Sequence, residues 1–379
     1  MSTHDERLAA ARTFSLRQAH DVVRDLARPR PAVYWVDMTV SAAAGWAAVA
    51  ALALVPWGWW VVPVYLVGML AMYRAVVFLH EIIHFRGHRG FTAFRHGWNV
   101  LVGLPLLVPS FLYEIHAEHH SKRLYGTEAD GEYVAFARLG RREILKVFAT
   151  TPLLPLLGPW RFGVLAPASW LVPRLRDYVW TRASSLTLDL DYRGRPPRPG
   201  RQRRSWLWQE AAATAVCYGA VAAVVAGVMP WQVPLAWAAV LLGAMSIDAV
   251  RTLGAHRYVG NDDTMTVVEQ MLDTINYDHN RWVAELWGPV GLRLHALHHL
   301  MPALPYHALP AAHRRLVAAL PADSAYRLTE SPGLVASLVD LWRVAGRGGP
   351  DSPAPPAGAP AGGDVSRDVG LRGVPATGS

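Results

Sequence analysis

The sequence predicts an all-α integral membrane protein of four transmembrane helices, arranged as two hairpins, with a cytoplasmic helical cap rich in histidine. Three observations predict it. Of 379 residues, 52% are apolar and 17% charged; four apolar runs approach the ~20 residues that cross a bilayer core; and the basic residues lie in blocks beside those runs. A mean hydropathy of +0.15 and 16 Trp are too apolar for an ordinary soluble enzyme.

Residues 1–35 form a basic N-terminal segment with Arg7, Arg12, Arg17, Arg24, Arg28 and Arg30 and no apolar stretch suited to a signal peptide, so no cleavage is expected. Residues 36–345 form the membrane domain. Its first hairpin pairs residues 38–56 with 61–79 across the turn WGWW, whose indoles suit the bilayer interface. The second pairs residues 207–228 with 233–250 across MPWQ. Residues 98–112 and 147–172 are also apolar, but Pro105, Pro109, Pro152, Pro155, Pro159 and Pro167 would free backbone groups that lipid cannot satisfy. Both stretches are expected to be interfacial or re-entrant. The tail, 346–379, is rich in Pro, Gly, Ala and Ser without apolar periodicity and is expected to be disordered.

Basic blocks precede the first span, lie between the second and third (Arg141, Arg142, Arg201, Arg203, Arg204) and follow the fourth (Arg314, Arg315). With four crossings all three share one side, which positive-inside topology makes cytoplasmic, together with both termini. A bacterial inner membrane is the expected location. The formal charge of +8 is explained by topology, because no nucleic-acid reading motif accompanies it. Cys217 stands alone in an apolar run, which excludes a disulfide framework and a cysteine-based metal site and leaves a small core residue.

Of 16 histidines, nine are patterned: HEIIH at His80 and His84, HAEHH at His116, His119 and His120, an isolated His256, and HALHH at His295, His298 and His299. On a helix, positions i, i+3 and i+4 share a face, so each HxxHH is expected to aim its imidazoles at one point and act as a preformed half-site. Neutral imidazole suits iron, zinc, copper and nickel. A single zinc needs only three or four ligands, whereas two irons with an open edge for O2 employ the whole set. The first box follows the second span, the second box precedes the third, and the third follows the fourth, so all can meet on one side. Lone histidines such as His4, His20, His96 and His313 are more often solvated, and His4→Ala or His313→Ala is expected to be harmless. His88 and His279 read as surface residues or supports.

These boxes, the LHEIIHFRGHRG, YGTEAD and HHLMPALPYH flanks, and RTLGAH ending at His256 resemble the membrane fatty acid desaturase superfamily over about residues 80–313. The resemblance implies a di-iron, O2-dependent enzyme that introduces a double bond into a fatty acyl chain carried on a lipid, coenzyme A or a carrier protein. It also implies His256 as the ninth ligand. Glu81 stands where the family often has aspartate, and no fused cytochrome domain is present, so reducing power should come from a separate ferredoxin or flavodoxin-type carrier. Glu81, Asp130, Asp248 and His307 are candidates to support the ligands from behind. If the fourth helix runs unbroken through Leu253, His256 reaches the height of the first box; Gly254 is the residue that could bend it away, and His279 is the replacement to examine.

Hydroxylation or ketolation of a lipid or carotenoid uses the same boxes. Two other classes compete. HEIIH also fits the HExxH zinc peptidase signature with Glu81 as general base, but leaves seven patterned histidines without a task. Arg74 and Asp248 near span ends could mark a transporter's path, although snorkelling or pairing explains them more simply.

Overall fold

The computed structural model describes residues 4–261 and 263–347. Among these are four helices long and apolar enough to cross a membrane: Pro31–Leu54, Val61–His84, Arg201–Val225 and Gln232–Ala255. The first begins earlier than residue 38 because Pro31, at the head of the helix, is already set for helical φ and lacks an N–H that would go unpaired. The second continues past residue 79 and carries the first box as its last turn, closed by the Phe85 N–H on the Glu81 carbonyl.

The first two long helices pack as a hairpin through small residues. A Cβ on Gly68 would stand 2.6 Å from that of Ala48, so the backbones approach as only glycine allows. The fourth helix leans on this pair through Ala236, Val240 and Ala244. The third, joined to it by a short turn, finds its main partners in Arg161–Leu165 and Ser110–Tyr113. There Trp206 and Ala213 join Phe111 and Phe162. At the same contact Glu210 is buried and accepts from Arg161 Nη2 at 2.6 Å, Arg176 Nη1 at 2.6 Å and Trp170 Nε1 at 2.9 Å.

Residues 98–112 go in and come back. A π turn at Asn99–Gly103 follows helix Phe91–Trp98, and the chain returns through Ser110–Tyr113. Asn99 clasps the two limbs, its Nδ2 donating to Ser110 Oγ at 2.9 Å and its Oδ1 accepting from the Ser110 N–H at 2.8 Å. This return delivers the second box to the end of the bundle that holds the first. Residues 147–172 form a chain of short helices whose exposed Leu156 and Leu171 offer an apolar surface.

A layer of short helices covers that end of the bundle, with its own core of Leu297, Leu300, Leu316 and Tyr326. Ala19 and Val23 of helix Leu16–Val23 are buried in it, so this part of the N-terminal segment is packed rather than free. Gly346 closes helix Leu334–Ala345; beyond Arg347 the tail lies outside the described residues. Among the described residues the only extended pairings are isolated bridges, including His256 with Thr274.

Candidate metal centre

The nine patterned imidazoles converge in two adjacent groups, each compact enough to hold a metal ion: His80, His84, His116, His120 and His298, and then His119, His256, His295 and His299. In the first group, His84 Nε2 stands 3.1 Å from the Nε2 of both His116 and His298. His120 Nε2 stands 3.1 Å from that of His116 and 3.3 Å from that of His298. In the second, His295 Nε2 lies 3.1 Å from His256 Nε2 and 3.2 Å from His299 Nε2.

The HxxHH boxes are not half-sites, contrary to expectation. His116 and His120 serve one group and His119 the other; His295 and His299 serve one and His298 the other. Helix geometry explains the division. Positions i and i+4 lie only about 40° apart around the axis, whereas i+3 and i+4 diverge by about 100°. A box therefore straddles two points.

The donor set fits metal ions. Nitrogens bonded at about 2.0–2.1 Å to one ion stand roughly 2.9–3.4 Å apart, from right-angled to tetrahedral arrangements, a range that contains the spacings above. Both ring nitrogens of His80 are buried without a hydrogen-bond partner, as is Nδ1 of His120, His295, His298 and His299. An unmatched buried polar atom costs about 1–3 kcal/mol, and at His80 Nε2, which has no protein partner, coordination would remove that cost. Burial, with the neighbouring imidazoles, holds His116, His120, His295, His298 and His299 well below the usual histidine range. Burial also pushes His256 down to about 4 against the pull of Asp273. These rings are neutral, the form that ligates. For His119 burial pulls the same way, but the Asp130 carboxylate outweighs it and leaves the pKa raised.

The outer nitrogens meet carboxylates at three places. His119 Nδ1 lies 2.8 Å from Asp130 Oδ2, and His116 Nδ1 lies 2.9 Å from Glu132 Oε2. His256 Nδ1 lies 2.9 Å from the Tyr125 hydroxyl and 3.5 Å from Asp273 Oδ2. Asp130 was legible from the sequence; Glu132 and Asp273 were not.

The fourth helix does run through Leu253, ends at Ala255, and Gly254 does not divert it. His256 follows in extended backbone, beside His295. His279 is exposed and takes no part. Asp248 is not behind His256: it meets Tyr73 at 3.3 Å and Arg251 at 3.0 Å. The helix ends at Ala255 and His256 follows in extended backbone, so helical register does not carry Asp248 to a place behind it. His307 stands away from the imidazole groups, accepting from the Arg30 N–H at 3.1 Å.

Glu81 is neither solvated nor aimed into the imidazole groups. It is buried, accepts from Tyr34 Oη at 2.5 Å and the Tyr306 N–H at 3.1 Å, and comes only to 3.7 Å of His80 Nδ1. Arg74, considered above as a transport residue, pairs with Asp37 and Glu285. His313 overturns its expected insignificance: it is buried, with Nδ1 2.7 Å from Tyr326 Oη and Nε2 3.8 Å from Asp278. His313→Ala should therefore lower stability by about 1–3 kcal/mol. Thermal unfolding should register that loss while metal content stays constant.

The family model described as fatty acid desaturase matches residues 57–330. Among curated proteins, the chain is 40% identical over 334 residues to a ceramide hydroxylase of Caulobacter vibrioides (strain NA1000 / CB15N), covering 86% of this chain and 93% of the relative.

Proposed function

The chain belongs to the fatty acid desaturase family of membrane di-iron oxidoreductases, and we propose that it is an O2-dependent hydroxylase of a ceramide-type lipid. The observation that carries this reading is the near-full-length similarity to a ceramide hydroxylase, joined to two imidazole groups able to hold two metals. Desaturation of an acyl chain is the second reading, favoured by the family's description.

In this proposal His80, His84, His116, His120 and His298 hold one iron, and His119, His256, His295 and His299 the other. Bound there, the irons supply the O2 activation needed to attack an unactivated C–H bond. The chain's own residues set the conditions. Burial favours the neutral, ligating form of the imidazoles other than His119, whose pKa Asp130 raises, and Asp130 and Glu132 fix the rings of His119 and His116 from behind. The cap keeps water from most of the site, while His84 and His120 are only partly covered. The lipid reaches the site from the bilayer. Whether its carbon gains oxygen or its neighbour loses a second hydrogen depends on how the chain is held.

Positive-inside charge supports a cytoplasmic site and termini, in a bacterial inner membrane, and the basic face suits a separate acidic ferredoxin or flavodoxin-type donor. Expression in a ceramide-containing host followed by lipid mass spectrometry tests the reaction. A ceramide heavier by one oxygen supports hydroxylation; loss of two hydrogens supports desaturation; an unchanged sphingolipid pool with an altered carotenoid or glycerolipid defeats the ceramide assignment.

Glu81 separates this proposal from an HExxH peptidase. A peptidase requires the carboxylate as general base, so Glu81→Gln would abolish turnover with metal still bound. Here Glu81 receives hydrogen bonds from Tyr34 and Tyr306, and Glu81→Gln should lower lipid oxidation by about 10- to 100-fold or less. Turnover by the variant at equal iron content is the measurement.

A further inference from the structure

We propose that Asp273 is a positioning residue for His256 and, through it, for the four-histidine centre alone; this rests on the metal-binding reading above. His256 differs from the other eight imidazoles. They lie on helices or at helix ends within a box, whereas His256 stands outside any box, just past its helix, in extended backbone at φ −126° and ψ 161°. A side chain there gains little orientation from helical register and needs it from elsewhere.

Asp273 supplies it by two routes. Its backbone carbonyl accepts from the Arg257 N–H at 2.6 Å, and the Ile275 N–H donates to the Ala255 carbonyl at 3.0 Å, so the two segments are paired across His256 and Thr274. Its side chain accepts from Tyr125 Oη at 2.7 Å and from the Val259 N–H at 3.1 Å. Tyr125, having donated to Asp273, offers its oxygen to His256 Nδ1–H at 2.9 Å, with Asp273 Oδ2 itself at 3.5 Å. Asp273 and Tyr125 are both buried. The arrangement places the proton on Nδ1 and turns Nε2 toward His295.

Backbone around this centre is held to the same end. Tyr258 adopts φ +56°, and its hydroxyl donates to the Thr252 carbonyl at 2.8 Å, fixing the turn that follows His256. Val290, before His295, adopts φ +53°, a conformation that β-branched residues rarely take. Such strain persists where surrounding contacts over-determine a position.

A carboxylate behind a metal-bound imidazole typically contributes 10- to 100-fold in metal affinity. Asp273→Asn keeps the shape but weakens acceptance from Tyr125; Tyr125→Phe removes the intermediary and leaves the carboxylate. Full-length protein in detergent, loaded with iron, would be dialysed against graded chelator and its iron measured, with thermal unfolding and the EPR spectrum followed in parallel. The expected result for Asp273→Asn is loss of one iron at about 10- to 100-fold lower chelator, retention of the other, and a new signal from an isolated ferric ion. Tyr125→Phe should shift the same iron by less, and Asp273→Glu should restore part of the affinity. Retention of both irons at wild-type chelator resistance would overturn the proposal, as would parallel loss of both in proportion to unfolded protein. Wild-type protein that takes up no iron would instead sink the metal reading itself.

Discussion

His84→Ala and His295→Ala are each expected to lower lipid oxidation by more than about 100-fold, beyond the effect of removing a partner behind a ligand. They should do so by different losses. His84 stands among five imidazoles and His295 among four, so each substitution opens a position in one centre and should reduce iron from about two to about one per chain. Combining either with a second substitution in its own group should change iron little further, whereas combining the two should empty both centres. His88 and His96 are exposed, and replacing them by alanine should leave iron and turnover unchanged. Equal damage from all four would mean that general folding, not ligation, is being read. Iron analysis with turnover on detergent-purified protein decides it.

Glu210→Ala should lower stability by about 3–5 kcal/mol, the typical cost of leaving buried charge without its partner. Glu210 neutralises Arg161 and Arg176 together, and each guanidinium already carries one buried nitrogen without a hydrogen-bond partner. Removing the carboxylate strands two cations where the third long helix meets the Arg161–Leu165 turn. Replacing the whole triad by apolar residues of similar volume should recover much of the loss, because that removes the unpaired charge as well. The triad sits on elements that carry no box, so the folded fraction should keep its iron. An unchanged thermal midpoint for Glu210→Ala would show that water or relaxation already neutralises the site.

The four long helices and the convergence of nine imidazoles were legible because both depend on spacing along the chain. Apolar runs report length directly, and HxxxH and HxxHH report a shared helical neighbourhood. The assignment of each imidazole was not legible, since "one face" is too coarse a description for rings that diverge between i+3 and i+4. The carboxylates behind the imidazoles divided for a similar reason. Asp130 and Glu132 both follow the second box closely, but only the loop's path shows that Glu132 reaches His116. Asp273 comes from a separate helix brought beside His256 by backbone pairing. Asp248 misled because helical proximity was extended from the fourth span to a residue outside that helix. His313 reads as solvated because sequence shows its polarity but not the tyrosine that buries it, and Glu81 reads as a support behind the ligands because its Tyr34 partner is equally invisible there.

The divided boxes turn two short helices into rulers. His119 and His120 are neighbours in the chain and serve different centres, as do His298 and His299, with ring centroids 5.5 Å and 6.0 Å apart. The distance between the centres is thus set twice, each time by adjacent Cα atoms and two imidazoles, independently of the long loops that deliver the boxes. Lengthening of the loops or divergence of their sequence leaves that gauge unaltered. An inserted residue within either HxxHH would instead spoil both centres at once.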